Sequence, residues 1–267
     1  MITSHANEQV RRLRRLQERK ERAASGLFYL EGLRIVGEAI ETGAAVEELV
    51  TAPDLLRSEY GQKLVTAHRA AGGQVLEVSA EVFERLASKD GPQGIAAVVR
   101  QRWERLEDVA LKPGRPWVAL DSVADPGNLG TILRTNDGAG GEGVILLDQS
   151  TDPYDPGAVR ASMGAVFAQK LVRASFAEFA AWKRERGAWL VGTSGAAAQD
   201  FHAARYPESL VALMGSERQG LGPEALALCD LVVSIPMLGK SDSLNLAAAT
   251  AVILYELLNQ RREKRSA

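Results

Sequence analysis

Cys229 is the only cysteine in 267 residues, so neither an internal disulfide nor a cysteine cage for a metal can form, and a reducing compartment fits. Histidine is scarce too: His5, His68 and His202 lie far apart without partner spacing, and no metal site is expected. No apolar run reaches the roughly 18 residues of a membrane span. The basic N-terminus also lacks the apolar stretch of a signal peptide, which points to the cytoplasm. Net charge is only −2, so a nucleic-acid partner would need a local basic surface in place of an overall field. No P-loop and no G-x-S-x-G elbow occur. What is present is ordinary for a folded protein: 46% hydrophobic and 25% charged residues, in a length that suits two domains.

Residues 1–26 carry Arg11, Arg12, Arg14, Arg15, Arg19, Lys20 and Arg22, with Val10, Leu13 and Leu16 at helical spacing. This predicts a basic amphipathic helix, either a solvated face paired with Glu8, Glu18 and Glu21 or a phosphate-contacting surface. From Leu27 strand-like FYLE, VEELVTA, QVLEV and GIAAVV alternate with helix-like runs, which predicts an α/β domain over 27–100. A charged stretch ends in Lys112-Pro113-Gly114. We therefore expect domains over 1–105 and 116–267, with a linker at 106–115. Apolar runs then recur at Trp117–Leu120, Val144–Leu147, Trp189–Gly192, Leu210–Met214 and Leu231–Ile235. Apolar on both faces, they suit a mainly parallel sheet covered by helices. Ser175 and Glu178 have capping-box spacing, and the last helix should run from about Leu244 to Arg262.

Ligands of open parallel sheets bind beyond the carboxyl ends of the strands, so the loops after these runs are candidate sites. The first, from Asp121 to Arg134, has an Asp125-Pro-Gly turn, with Asn128 at the helix start and Arg134 six residues on. A structural reading makes Asn128 a cap and Arg134 a surface arginine. The second, Gly215 to Pro223, holds glycines at 215, 220 and 222 around a lone acid, Glu217. The third, Ile235 to Asn245, leads into the last helix with Ser243 as the expected cap, leaving Asn245 unexplained. Gly138-Ala-Gly140-Gly-Glu-Gly143 spells G-x-G-x-x-G, but a helix precedes it and a strand follows. That order is the reverse of a dinucleotide fingerprint, so these glycines should end a helix and no nicotinamide chemistry is expected.

Together NLGTILR (128–134), GSERQGL (215–221) and IPMLGKSDSLNLAAATAVILYE (235–256) resemble the three motifs of the SpoU (TrmH) family of RNA 2′-O-ribose methyltransferases, in the SPOUT class. Tyr154-Asp-Pro and Val159-Arg160-Ala-Ser162-Met-Gly164 resemble a segment of its ribosomal-RNA members, and FYLEGLRIVGEAI (28–40) resembles their small RNA-binding domain. The resemblance implies an α/β catalytic domain with a C-terminal trefoil knot, a homodimer, and S-adenosylmethionine bound by Thr193, Gly215, Ile235, Met237, Leu238 and Leu244. A side chain at Gly215 is expected to collide with that cofactor. The implied catalytic group is Asn128, Arg134, Glu217, Ser243 and Asn245. Arg134 is proposed in the family to act on the ribose hydroxyl. A guanidinium stays protonated in proteins, so it more naturally fixes a phosphate and steadies alkoxide charge. Arg11, Arg12, Arg15, Arg19 and Arg160 are expected on RNA phosphates, helped by Arg261, Arg262 and Arg265. The N-terminal domain favours 23S ribosomal RNA as substrate; the alternatives are transfer-RNA ribose methylation and a non-catalytic RNA-binding or assembly protein.

Overall fold

Strands apolar on both faces must be covered on both sides, and the second half of this chain meets that need. The computed structural model describes residues 1–87 and 91–266; the side chains of residues 265 and 266, Arg265 among them, lie outside the described residues. In chain order the N-terminal elements are α1 (Glu8–Arg15), α2 (Arg19–Ser25), β1 (Leu27–Glu31), α3 (Leu33–Glu41), β2 (Val46–Thr51), α4 (Glu59–Ala70), β3 (Gln74–Glu77), α5 (Ala80–Leu86) and β4 (Ile95–Arg100). After a short 3-10 turn follow β5 (Trp117–Asp121), α6 (Pro126–Gly138), β6 (Gly143–Leu147), α7 (Pro156–Ser162), α8 (Ala165–Ala168), β7 (Lys170–Ala174), α9 (Phe176–Arg186) and β8 (Leu190–Thr193). The last are β9 (Gln199–Asp200), β10 (Val211–Met214), α10 (Pro223–Leu228), β11 (Leu231–Ser234) and α11 (Leu246–Ser266). The chain divides into two compact units, Met1–Gln101 with Tyr154–Phe167, and Arg102–Pro153 with Ala168–Ala267.

The first unit holds a sheet in the order β1-β4-β2-β3. β4 runs antiparallel to β1 and β2, and β2 is parallel to β3. Asn7, Ser58 and Ser79 accept backbone N–H groups at the starts of α1, α4 and α5, the role for which short polar side chains are suited. The single N-terminal helix expected from the sequence is two. Leu16 ends α1, and Leu16 joins Val10 and Leu13 in a core with Val82, Phe83 and Leu86. Arg22 is not on the surface: it is 1% exposed, and its guanidinium donates to the Leu16 and Gln17 carbonyls and pairs with Asp155.

The second unit has the order β7-β6-β5-β10-β8-β11-β9, with every registered pair parallel. Its core gathers Trp117, Ile145, Val172, Phe179, Leu190 and Leu213, each worth about 1.5–3 kcal/mol when fully buried. Within residues 106–115, Val109 is buried and the Ala110 carbonyl accepts the Trp117 indole N–H at 3.3 Å. Ser175 and Glu178 form the expected capping box of α9. The glycine string does end a helix: α6 stops at Gly138, and Gly140 takes φ +76° before β6 begins. Among the described residues no helix is long and apolar enough to cross a membrane.

Candidate active site

Adjacent parallel strands deliver their outgoing loops to one edge of the sheet, so the loops after β5, β8, β10 and β11 share the carboxyl end. A cavity of about 490 Å3 lies among the last three, within the 300–1,000 Å3 typical of small-molecule sites. Thr193, Gly215, Glu217, Ile235, Met237, Ser243 and Leu244 all line it. Ser194, Gly195, Ser216 and Asp242 line it too. The sequence reading passed over them, although their place just beyond strand ends was the available signal. Leu238 is placed differently from these: its side chain is 99% exposed and does not line the cavity. Arg134 does not line it either; it is exposed on α6, about 9 Å along the axis from Asn128. Arg134 makes no hydrogen bond or ion pair among the described residues.

Gly215 closes the floor of the second loop. A Cβ there would stand 2.0 Å from the Gly220 carbonyl carbon and 2.3 Å from the Leu221 nitrogen. The collision is therefore with the loop's own backbone, before any ligand is considered. Ser216 and Gly220 form an isolated bridge that turns the loop back, with Gly220 at φ +64°.

Glu217 ties this loop to the first. Its carboxylate accepts the Ala124 N–H, the Asp125 N–H and the Asn128 side-chain amide, each at 3.1 Å. Partial burial pushes its pKa up, but those donors outweigh the effect and hold the carboxyl below its ordinary range. Asn128 sits in the first turn of α6, whose cap is Asp125, accepting the Asn128 N–H at 2.7 Å. The Asn128 oxygen in turn accepts from the Asn245 side-chain amide at 2.9 Å. A continuous relay, Glu217–Asn128–Asn245, thus joins all three motif loops.

Asn245 also corrects the reading of the last helix. Its side-chain oxygen accepts the Ala247 and Ala248 N–H groups, so it caps α11, and Ser243 donates instead to Asp242 at 3.1 Å. Helix α11 begins at Leu246 and not at Leu244.

The cavity suits a ligand read mainly by backbone. Among the described residues the main chain of 235–244 makes no hydrogen bond within the protein, leaving its donors and acceptors for an occupant. Thr193, Met214, Leu244 and Leu246 supply hydroxyl and apolar walls around it. These residues fit an adenosyl group with a charged tail, as S-adenosylmethionine carries.

The basic N-terminal side chains are partly engaged. Arg12 pairs with Glu48, Arg15 lies 3.8 Å from Glu21, and Arg11 donates to the Ala6 carbonyl. Arg11, Arg15, Arg19 and Arg160 remain exposed. Arg261 donates to the Ala139 carbonyl at the C-terminus of α6, so one of its nitrogens serves the fold.

Residues 116–255 match the SpoU rRNA Methylase family, and residues 7–97 match the MRM3-like substrate binding domain. The structure of an AdoMet-bound rRNA methyltransferase from Sinorhizobium meliloti is similar at TM-score 0.89, with 38% identity and 97% of each chain covered. A 23S rRNA (uridine(2479)-2′-O)-methyltransferase of Streptomyces viridochromogenes is 32% identical over 94% of this chain and 89% of its own length. A 23S rRNA (guanosine(2553)-2′-O)-methyltransferase of Bacillus subtilis is 29% identical over 96% and 98%. With its three motif loops fastened by one relay, and with relatives matched along nearly their whole length, this chain belongs to the SpoU rRNA methylase family.

Proposed function

We propose that this protein transfers the methyl group of S-adenosylmethionine to a ribose 2′-hydroxyl of 23S ribosomal RNA. The observation that carries the reading is the Glu217–Asn128–Asn245 relay, whose Glu217 lines the 490 Å3 cavity while Asn128 and Asn245 stand behind it, outside the lining. The two 23S relatives act on a uridine and on a guanosine, so the ribose is the shared target.

When bound, S-adenosylmethionine supplies an electrophilic sulfonium methyl; the protein's task is to align a hydroxyl with it and release one proton. Thr193, Gly215, Ile235, Met237 and Leu244 hold the adenosyl moiety, largely through main-chain groups. Glu217 keeps its charge and has both oxygens engaged, which makes it a poor proton acceptor and a good anchor. Asn128 and Asn245 are positioning residues fixed by that anchor. Ser243 presents a hydroxyl at the cavity wall for the ribose. Arg134, free of intramolecular partners among the described residues, fixes the target phosphate and stabilises charge developing on the oxygen. The proton leaves to solvent.

Residues 1–105 act as the substrate-binding domain, 106–115 as the connection and 116–267 as the methyltransferase domain. Arg11, Arg12, Arg15, Arg19 and Arg160 meet RNA phosphates, Arg12 by exchanging Glu48 for a phosphate. The chain works in the cytoplasm as a homodimer, and its C-terminal segment is threaded as a trefoil knot. Incubation of 23S rRNA with methyl-labelled S-adenosylmethionine tests the activity: one alkali-resistant labelled linkage is expected, and label on a base or no label would refute it.

A further inference from the structure

A second hollow, of about 430 Å3, lies wholly within the first unit, beside the edge strand β1. Its walls are mainly apolar, with Ile35, Pro92, Pro156, Val159 and Met163 among them. Two cations, Arg34 and Arg160, and one carboxylate, Glu31, line it; both arginines are exposed and neither is ion-paired among the described residues, so the cations outnumber the acid by one. Gln93 lines it as well: its side-chain oxygen accepts the Leu33 N–H at 3.0 Å, which leaves the amide N–H groups to donate elsewhere. Met163 is unusual in two ways. It takes a left-handed φ of 53°, which a methionine adopts only at a cost, and it is 38% exposed despite its apolar thioether. The left-handed turn ends α7, with the Met163 N–H donating to the Arg160 carbonyl, and so turns the thioether toward the hollow that it lines. Beside it β1 pairs with β4 alone, and an edge strand leaves a row of backbone donors and acceptors unpaired.

Apolar walls, an oriented amide and two unpaired guanidinium groups together match one chemical class, a planar heteroaromatic base joined to a phosphate. We propose that this hollow captures a single unstacked nucleotide of the RNA substrate, with the base against Ile35, Val159 and Met163 and the flanking phosphates on Arg34 and Arg160. This rests on the reading of the chain as an RNA methyltransferase, and it assigns the first unit a base-gripping site remote in sequence from the motif loops. Recognition of structured RNA commonly uses such splayed bases, because bases inside an A-form helix are hard to reach.

The test uses the full chain with a 23S rRNA transcript containing 4-thiouridine, irradiated and digested, with methyl transfer from labelled S-adenosylmethionine measured on the same transcript. Cross-links are expected on peptides spanning 30–35 and 156–163. The double variant Arg34→Ala/Arg160→Ala should weaken transcript binding by about 100-fold and reduce the slope of log affinity against log salt by about 2, one for each phosphate contact. Its affinity for S-adenosylmethionine should not change. Met163→Gly relieves the left-handed backbone, so it should melt no lower than wild type while cross-linking at least fivefold less. Methyl transfer without cross-links at these peptides, or an unchanged salt slope in the double variant, overturns the nucleotide site. Cross-links without methyl transfer support the site and overturn the proposed activity, and the loss of both overturns both.

Discussion

The Asn245 side-chain amide donates to the Asn128 oxygen across 2.9 Å, joining residues 117 positions apart, while the Asn245 oxygen caps α11. One side chain thus serves the fold with its acceptor and the site with its donor. Asn245→Asp keeps the cap and deletes the donor, so the melting temperature should hold while turnover falls by about 100-fold. Asn245→Ala loses both and should also cost about 1 kcal/mol of stability. Full turnover in Asn245→Asp, measured with saturating cofactor, would reduce the link to a structural one.

Glu217 makes a specific statement about pH. Burial raises its pKa, the Ala124, Asp125 and Asn128 donors more than reverse that, and the folded value lies below the unfolded one. Its contribution to holding the loops together is therefore complete above the unfolded carboxyl range and is lost only as pH falls through the lower folded value. Between pH 6 and 9 Glu217→Gln should depress the rate by one constant factor. A wild-type rate that rises with a pKa near neutrality and vanishes in Glu217→Gln would instead make this group the proton acceptor.

Gly215→Ala separates two explanations of the loop's need for glycine. The added Cβ meets the Gly220 backbone at 2.0 Å, so the loop must open even without ligand. A loss of about 1–3 kcal/mol in stability should accompany weakened S-adenosylmethionine binding. Denaturant unfolding of the cofactor-free protein checks this: unaltered stability with lost binding would mean that the cofactor alone demands the glycine.

Much of this arrangement could be read from residue patterns, and the exceptions have physical reasons. The central strands announce themselves because they are buried on both faces. The two strands that escaped notice, β7 and β9, are the edges of the sheet. β7 carries Lys170 and an exposed Arg173, and β9 is only Gln199 and Asp200, so neither needs an apolar run. Ser243 and Asn245 are both competent caps; the tertiary bond to Asn128 selects the second, and no local pattern contains that information. Residues 154–167 join the first unit because Tyr154 and Phe167 place their rings 4.6 and 6.3 Å from Phe28, a pairing across more than a hundred positions. The break after α1 and the burial of Arg22 likewise depend on distant partners.

Arg134→Ala should leave the melting temperature unchanged, because the side chain is exposed and has no partner among the described residues to lose. Methyl transfer should fall by about 1,000-fold or more, as when a group that stabilises developing oxygen charge is removed. Cofactor binding should survive. Arg134→Lys keeps the charge without the fork of donors, and should recover only a small part of the rate. Parallel calorimetry with S-adenosylmethionine and single-turnover transfer distinguish this from a binding defect. Transfer at the wild-type rate in Arg134→Ala would remove the arginine from the chemistry.

Tyr29, which also lines the second hollow, offers a test of the first unit that is made without ligand. It is 4% exposed in the core beneath α1 and α5, and its hydroxyl has no hydrogen-bond partner among the described residues. Burial, reinforced by the Glu31 charge, pushes its ionisation far above the ordinary tyrosine range, so the group stays neutral throughout the working pH. A buried hydroxyl without a partner carries a desolvation cost of about 1–3 kcal/mol that nothing returns. Tyr29→Phe keeps the ring and removes that cost, so it should stabilise the protein by about 1 kcal/mol, a rise of about 3 °C in melting temperature. Scanning calorimetry decides it: a fall in stability would show that the hydroxyl is satisfied in solution, by an ordered water or by a shifted neighbour, and that this core is wetter than its packing indicates.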